Sequence, residues 1–176
     1  MIIYRDLISG DEIISDTSKI IDAGNGLWEI DGRMIKKGAE NFVLEGANPS
    51  AEGEDDGEGG GDDGDNQPIL DLADQFRLQK IEGGMSKKAY QSELKKYMKG
   101  LTEKLKELGK SEEDIKKFQS EAPAAAKKIL GNWDNYDIYQ GESMAEGSMY
   151  VLVDFREDGM TPYATVWKWG LEEYKV

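Results

Sequence analysis

Residues 86–108 read SKKAYQSELKKYMKGLTEKLKEL, and the apolar side chains of this stretch recur every three or four positions. That spacing places them on one face of an α-helix, where they can be buried against the rest of the protein. Ser86 precedes the pattern, and its hydroxyl is expected to cap the first turn. The apolar face contains Tyr90, Leu94, Tyr97, Met98, Leu101, Leu105 and Leu108.

A second helical pattern begins almost at once. Gly109 is expected to end the first helix in a left-handed conformation, and Ser111 is expected to cap the next, whose first turn is acidic. Pro123 lies inside the pattern and should kink or interrupt the helix. Because the connection is short, residues 86–130 are predicted to form an antiparallel helical hairpin. The second apolar face contains Ile115, Phe118, Ala122, Ile129 and Leu130.

The hairpin is also distinguished by its charge. Residues 86–130 contain twelve lysines and seven acidic side chains, so they carry +5 while the remainder of the chain carries -19. Two interpretations of the lysines are open: a solvated helix face, or a landing surface for an acidic partner such as the outer face of a microtubule. The candidates for tubulin contact are Lys95, Lys96, Lys116 and Lys117.

An acidic segment lies on the N-terminal side of the hairpin. Residues 45–66 contain nine acidic side chains, seven glycines and no basic residue, so they are predicted to form a flexible, disordered loop. Glu54, Asp56, Glu58 and Gly59 loosely resemble the start of an EF-hand loop, but that motif begins with Asp and is flanked by helices. A solvated loop is therefore favoured, with weak calcium binding as the alternative.

Strand-like runs lie on both sides of the hairpin. They occur at residues 2–8, 27–30, 33–36, 42–44, 137–139, 149–155 and 163–169, and residues 69–81 have a mixed, strand-like pattern. Asp31-Gly32 predicts a type I′ hairpin turn, because Asp and Gly tolerate positive φ angles, and residues 157–159 predict the turn between the last two strands. The sequence therefore predicts a single α+β domain, residues 1–176, with the helical hairpin and the acidic loop as insertions.

Composition excludes several classes of function. The chain has 176 residues, a net charge of -14, no cysteine and no histidine. The charge disfavours nucleic acid and membrane lipid as general partners. The missing residue types exclude disulfides, cysteine-type zinc sites and any Ser-His triad. No apolar run approaches the ~20 residues of a membrane span, so a cytoplasmic protein is expected.

Four stretches carry a resemblance to a known family. They are MIIYRDLIS at residues 1–9, GANPSAEG at 46–53, YQGES at 139–143 and DFREDGMTPY at 154–163. Their order and spacing resemble those of the translationally controlled tumour protein family. The resemblance implies a β-tent, similar in fold to a Rab-binding chaperone of nucleotide-free GTPases, with a protruding helical hairpin.

The resemblance also implies a function. The family is credited with growth-promoting and anti-apoptotic roles, without catalysis and without a required cofactor. Its partners are small GTPases, elongation-factor components, tubulin, calcium and anti-apoptotic Bcl-family proteins. On the GTPase-binding surface, the family's acidic contacts correspond to Glu12 and Glu142, and its apolar contact corresponds to Leu78. From the residues alone, Glu12 is a hydrated turn residue after Gly10-Asp11, Glu142 is similar, and Leu78 is a core residue.

The chain departs from the family pattern at several positions. Asp74 stands where an apolar residue of the GTPase-binding surface is usual, and Phe76-Arg77 replace a pair of histidines. The identity of the bound GTPase therefore stays open. The chain ends in Tyr174-Lys175-Val176 where relatives commonly end in cysteine, so a disulfide-linked dimer is excluded and a monomer is expected.

Two other functions remain as alternatives. One is a low-affinity calcium buffer, because a loop rich in carboxylates attracts divalent cations without forming a rigid cage. The other is an enzyme using paired carboxylates, which requires one acid in an apolar pocket with a raised pKa. No spacing of Asp and Glu in the sequence selects such a pair.

Overall fold

The computed structural model describes residues 1–36 and 68–175. The strand expected at residues 42–44 and the acidic loop expected at residues 45–66 lie outside the described residues. The described helices are α1 (Asp71–Phe76), α2 (Lys87–Glu107) and α3 (Glu112–Gly131). The described strands are β1 (Ile2–Asp6), β2 (Glu12–Ser15), β3 (Ile20–Gly24), β4 (Leu27–Asp31), β5 (Met34–Ile35), β6 (Ile69–Leu70), β7 (Gln79–Lys80), β8 (Asp137–Gln140), β9 (Tyr150–Phe155), β10 (Pro162–Trp167) and β11 (Leu171–Lys175).

The described strands form antiparallel sheets. The largest has the order β3-β4-β10-β9-β8-β7, and a smaller one has the order β11-β1-β2. In the smaller sheet Tyr4 lies opposite Glu173 on one side and Ile14 on the other. β5 pairs with β6 in a separate ladder. The first and last described strands are therefore neighbours, which brings distant parts of the chain to one place.

The structure confirms the predicted helical hairpin. The N–H of Ala89 donates to Ser86 Oγ over 3.0 Å, and the N–H of Asp114 donates to Ser111 Oγ over 3.1 Å. Each serine therefore satisfies one of the N–H groups that a helix start leaves unpaired. Of all helices in residues 1–36 and 68–175, none has an apolar stretch sufficient to span a bilayer.

The connection between α2 and α3 is a Schellman turn. Gly109 has a φ of +80°, as the sequence predicted. The N–H of Lys110 donates to the carbonyl of Leu105, and the N–H of Gly109 donates to that of Lys106, both over 3.0 Å. These bonds satisfy the last carbonyls of α2, so the chain reverses direction within a few residues.

One apolar core joins the hairpin to the sheets. Tyr90 stacks on Trp133 with ring centroids 4.4 Å apart, and the indole N–H of Trp133 donates to the carbonyl of Met85 over 2.9 Å. Leu108, at the tip of the hairpin, is exposed, although it belongs to the predicted apolar face. The helices bury Tyr90, Leu94, Tyr97, Leu101 and Leu105 from α2 and Ile115, Phe118, Ala125 and Ile129 from α3.

The hairpin turn predicted at Asp31-Gly32 is wrong. β4 pairs with β3 and β10, whereas β5 pairs with β6, so the strands on either side of Gly32 belong to different sheets. The tight turn lies at Asn25-Gly26, where φ is 56° and 83°, and it connects β3 to β4. Gly32 has a different role, because a Cβ there would lie 2.7 Å from Asp71 Oδ1.

Residues 69–81 are strand only near their two ends, so the strand-like prediction is wrong for the middle. That part forms α1, in which Leu72 and Phe76 are buried. Residues four apart lie on the same face of a helix, which explains why these two point inward together. Asp71 and Asp74 lie in the first turn, where the helix dipole favours negative charge.

Pro123 was predicted to kink or interrupt the second helix, and the interruption is wrong. α3 runs continuously from Glu112 to Gly131 with the proline inside it. Proline removes one helical hydrogen bond. Phe118 and Ile129, on either side of Pro123, are both buried in the core, and their packing outweighs that loss.

Candidate binding cleft

The loop between β1 and β2 determines where Glu12 lies. The N–H of Asp6 donates to the carbonyl of Asp11 over 2.8 Å, and the N–H of Gly10 donates to the carbonyl of Asp6 over 2.7 Å. Gly10 has a φ of +80°, a conformation that side chains rarely adopt. Glu12 follows as the first residue of β2, with its side chain exposed, so it is a strand residue and not a turn residue.

The same loop is fastened from inside by the carboxylate of Asp6. Only 1% of this residue is exposed. It accepts hydrogen bonds from the N–H of Ile8 (2.9 Å), the hydroxyl of Ser9 (3.2 Å) and the N–H of Met149 (2.9 Å). Burial raises the pKa of Asp6 above 3.8, although these three hydrogen bonds act in the opposite direction. Asp6 therefore joins the loop to the residue that precedes β9.

Sequence reasoning missed Asp6, but a signal was present. Asp6 stands two residues after Tyr4 in β1, and residues so spaced share one face of a strand. Both are buried. An acidic residue at an inward-facing position of a strand has to find hydrogen-bond donors, so Asp6 could have been identified as a structural carboxylate.

A second loop brings Glu142 to the same place. Asp11 Oδ2 accepts from the N–H of Ser143 (3.1 Å) and from its hydroxyl (2.7 Å). A Cβ on Gly141 would lie 2.6 Å from the Cβ of Asp11, so only glycine allows this close approach. The loop after β8 is therefore docked on the loop before β2, and Glu142 lies between Gly141 and Ser143.

The end of α1 lies beside the loop that contains Glu142. Arg77 is the C-cap residue, with a φ of +59°, and its N–H donates to the carbonyl of Ala73. Its Nη1 lies 3.2 Å from Glu142 Oε2, with 75% and 55% of the two side chains exposed. Such an exposed ion pair contributes at most about 1 kcal/mol to stability, so it can open at little cost.

These three elements enclose an open cleft of about 410 Å³. Its lining is Gly10, Asp11, Glu12, Gln75, Phe76, Arg77 and Glu142. Two of the three predicted GTPase-contact residues, Glu12 and Glu142, thus line one cleft although they are far apart in the sequence. No group of acidic residues suited to hold a metal ion occurs here or elsewhere in residues 1–36 and 68–175.

Leu78 does not line this cleft. The residue is 6% exposed and belongs to the apolar core. Its N–H donates to the carbonyl of Ala73 over 2.9 Å, which fastens the chain just after Arg77. The structure therefore places Leu78 behind the cleft wall.

The four candidate lysines are exposed on the two helices of the hairpin. Lys95 and Lys96 belong to α2, Lys116 and Lys117 belong to α3, and all four are exposed. Lys96 is 3.5 Å from Glu93 and 4.0 Å from Glu146. Two of the lysines therefore project from each helix.

The fold and the cleft define a class of protein: a small α+β protein with an inserted helical hairpin and charged groups on its surface. The family model described as translationally controlled tumour protein matches residues 1–172. The chain belongs to the translationally controlled tumour protein family.

Individual relatives agree over their whole lengths. A protein named translationally-controlled tumor protein homolog from Aspergillus fumigatus is 55% identical over 181 residues, covering 100% of both chains. One of the same name from Aspergillus oryzae is 50% identical over 176 residues, again covering 100% of both. The family predicted from four sequence stretches is therefore confirmed.

Solved structures confirm the fold. The translationally controlled tumor-associated protein p23fyp from Schizosaccharomyces pombe superposes with a TM-score of 0.74 at 37% identity, and the match covers 100% of both chains. The Caenorhabditis elegans family member superposes with a TM-score of 0.68 at 24% identity, covering 100% of this chain and 99% of the other. The α+β fold with an inserted helical hairpin is therefore the fold of the family.

Proposed function

We propose that this protein is a non-enzymatic, multi-partner binding protein that binds a small GTPase, or a related elongation-factor component, at the cleft between Glu12 and Glu142. The observation that carries the proposal is that these two glutamates, far apart in the sequence, line the same cleft. Both are exposed, so a partner can reach them without unfolding. Binding of this kind needs electrostatic complementarity and no catalytic base.

The cleft favours a basic group on the partner. Arg77 already forms an exposed ion pair with Glu142. A Lys or Arg of the partner can replace Arg77 in that pair with little loss of free energy. Glu12 then supplies a second carboxylate in the same cleft. A GTPase whose basic residue is accessible only when nucleotide is absent would be stabilised in that state, because a ligand shifts a population by its differential affinity.

Leu78 has a supporting role in this proposal. Its burial favours packing beneath Arg77 over direct contact with the partner. Replacing it should therefore weaken binding only together with folding.

The arrangement of acids supports a function without catalysis. Glu12 and Glu142 are exposed to water, whereas catalysis by a carboxylate at neutral pH needs an apolar pocket. Asp6 is buried and its pKa is raised, but its oxygens accept three internal hydrogen bonds. Its environment therefore suits a structural role.

The cleft is tested by titrating nucleotide-free small GTPases with the wild-type protein and with Glu12→Ala, Glu142→Ala and Glu157→Ala. The first two should weaken binding by about 2 kcal/mol or more, because each leaves a partner charge without its carboxylate. Glu157, an exposed residue of the β9–β10 turn, is the matched control and should have no effect. Arg77→Gln should strengthen binding, since it removes the internal competitor for Glu142.

Thermal melting separates folding from binding in the same variants. Replacing any one of these exposed glutamates by alanine should change the free energy of unfolding by about 0.5 kcal/mol or less. Equal affinity of Glu12→Ala and wild type for every GTPase tested would remove the proposed role of the cleft. A large loss of stability would show that Glu12 is structural instead.

Tubulin is the second candidate partner, and the exposure of all four hairpin lysines favours it. Reversing Lys95, Lys96, Lys116 and Lys117 to glutamate should reduce co-sedimentation with microtubules. Added salt should do the same, because exposed charges act through a screened, long-range attraction. Co-sedimentation that withstands both treatments would exclude an electrostatic landing surface.

The remaining expectations stay predictions. Weak calcium binding is the alternative function of residues 45–66, which lie outside the described residues. Calorimetric titration with calcium, with and without those residues, tests it, and heat that persists without them would refute the assignment. The anti-apoptotic and growth-promoting roles are proposed from the family resemblance, and the cytoplasmic location stays an expectation from the sequence.

A further inference from the structure

A second opening lies between the two helices of the hairpin, away from the cleft. It is a groove of about 710 Å³. Its apolar lining is Leu94, Met98, Phe118, Ala122 and Ala126, of which Met98, Ala122 and Ala126 are partly exposed; Gln91, Lys95, Lys99, Thr102, Gln119 and Pro123 complete the lining. None of these residues lines the cleft that contains Glu12 and Glu142.

The groove follows from unequal side-chain sizes on the two helices. α2 presents Leu94 and Met98, whereas α3, beyond Phe118, presents Ala122 and Ala126, which are too small to fill the space between the helix axes. Pro123 leaves the carbonyl of Gln119 without its helical donor, because proline has no N–H. The groove therefore exposes apolar surface with polar groups on both sides, as binding sites commonly do.

The charge of the groove is one-sided. Lys95 and Lys99, four residues apart on α2, lie along one wall, and Gln119 and Pro123 on α3 form a neutral opposite wall. Within the described residues neither lysine forms an ion pair. An occupant that matches this groove is apolar on one face and acidic along one flank.

We propose that this groove binds one amphipathic helix of a partner protein, with its apolar face in the groove and its acidic flank against Lys95 and Lys99. The lining runs along α2 from Gln91 to Thr102, about 16 Å at helical rise, so the bound helix has about three turns. A helix lying in a groove between two helices is an established mode of peptide recognition.

The proposal is independent of the GTPase cleft and more specific than a charged landing surface. Binding to a landing surface depends on the total charge of the hairpin. Binding in the groove depends on Lys95 and Lys99 and on the space left by Ala122 and Ala126. The two can therefore be separated by variants with equal change in net charge.

The experiment uses the full-length protein and a fluorescent synthetic helical peptide of about 14 residues. The peptide has leucines at i, i+4, i+7 and i+11 and glutamates along one flank. Two control peptides have the leucines scrambled or the glutamates changed to glutamine. Binding is measured by fluorescence anisotropy, and the scrambled peptide should bind at least about tenfold more weakly, since it has no apolar face.

Two pairs of variants locate the site. Lys95→Glu with Lys99→Glu should weaken peptide binding about tenfold, whereas Lys116→Glu with Lys117→Glu, an equal change in charge outside the groove, should weaken it less than about twofold. Ala126→Leu, which fills the groove, should also lower the affinity for the peptide about tenfold. Ala124→Leu, on the exposed side of α3, should leave that affinity unchanged. Thermal melting of each variant checks that it is folded.

A measurement on the wild-type protein avoids any dependence on variants. The methyl resonance of Met98, in the groove, should shift when the peptide is added, while that of Met160, which is 78% exposed at the β9–β10 turn, should not. Three results would each overturn the proposal. They are a Met98 methyl resonance that does not shift, an equal loss of peptide affinity in the two lysine double variants, and a glutamine peptide that binds as tightly as the glutamate peptide. A dimer in sedimentation that Ala126→Leu dissociates, without peptide binding, would assign the groove to a second copy of the chain.

Discussion

At the scale of single residues, two aspartates show how one side chain acquires opposite properties in this acidic protein. Asp6 is buried, and desolvation raises its pKa above 3.8. Asp158 is exposed in the β9–β10 turn and accepts hydrogen bonds from the N–H groups of Met160 and Thr161, both 2.8 Å, and from the Thr161 hydroxyl, 2.7 Å. These bonds, that of the Thr161 N–H foremost, lower the pKa of Asp158 below 3.8.

The first prediction is that a carboxyl NMR titration finds Asp6 protonating above pH 3.8 and Asp158 below it. The contribution of Asp6 to stability is then fully present below 3.8 and is lost as the pH rises through its raised folded-state pKa. The contribution of Asp158 is present above 3.8 and is lost as the pH falls through its lowered folded-state pKa.

A variant isolates the cause at the turn. Thr161→Val removes the hydroxyl but keeps the N–H, so it should move the pKa of Asp158 only part of the way back towards 3.8 and leave Asp6 unchanged. An Asp158 that titrates above 3.8 in the wild type would contradict the assigned turn geometry.

At the scale of elements, the hairpin is built from local signals that act within a few residues. Each long helix begins at a serine whose hydroxyl accepts from the N–H three residues later, and the two are joined by a glycine at positive φ. These interactions depend on neighbours in the sequence, so each can be removed without changing the core.

The second prediction is that Ser111→Ala lowers the free energy of unfolding by about 1 kcal/mol, because it leaves the N–H of Asp114 without its acceptor. Ser120→Ala is the matched control on the same helix. The hydroxyl of Ser120 donates to the carbonyl of Lys117, which already accepts within the helix, so its loss should cost little. Chemical denaturation measures the free energy of unfolding of both variants. Equal losses of stability would show that the cap contributes no more than the hydroxyl of Ser120.

At the scale of the whole molecule, contacts distant in sequence fasten the hairpin to the sheets. The indole N–H of Trp169 donates to Glu121 Oε1 over 2.9 Å, and Lys128 Nζ lies 3.7 Å from Glu29 Oε2. Arg156 Nη1 donates to the other oxygen of Glu29 over 2.6 Å. Together with the shared core, these contacts predict that helices and sheets unfold as one unit.

The third prediction tests that unity. Leu101→Ala should lower the free energy of unfolding by about 2 to 5 kcal/mol, because Leu101 is 0% exposed in the core. Leu108→Ala, at the exposed tip of the same hairpin, should cost about 0.5 kcal/mol or less.

Two probes follow the unfolding of Leu101→Ala. Circular dichroism reports on the helices. In a background with Trp133→Phe and Trp169→Phe, which removes the two tryptophans that contact the hairpin, the fluorescence of Trp28 and Trp167 reports on strands β4 and β10. The transitions should coincide and shift together. A helical transition well below the fluorescence transition would divide the chain into two folding units and contradict the single domain.

The sequence by itself determined the helical hairpin, its serine caps and its glycine turn, because a helix and its ends are built from contacts between residues at most five apart. It also determined the excluded chemistries and, through four short stretches, the family. The same local reasoning failed at Asp31-Gly32, where the turn signal is real but a different pair, Asn25-Gly26, forms the hairpin. Two glycine-containing signals in close succession cannot be ranked without knowing which strands pair.

Only the tertiary structure decided the strand partners and the cleft. β11 was not predicted, because four of its five residues are exposed and its partner β1 lies at the other end of the chain. Glu12 and Glu142 meet because Asp11 accepts hydrogen bonds from Ser143. Hydrogen bonds between distant segments leave no periodic trace in either segment, since each needs only one donor or acceptor at one position. The cleft is therefore a product of long-range pairing, whereas the two hairpin helices are a product of local pattern.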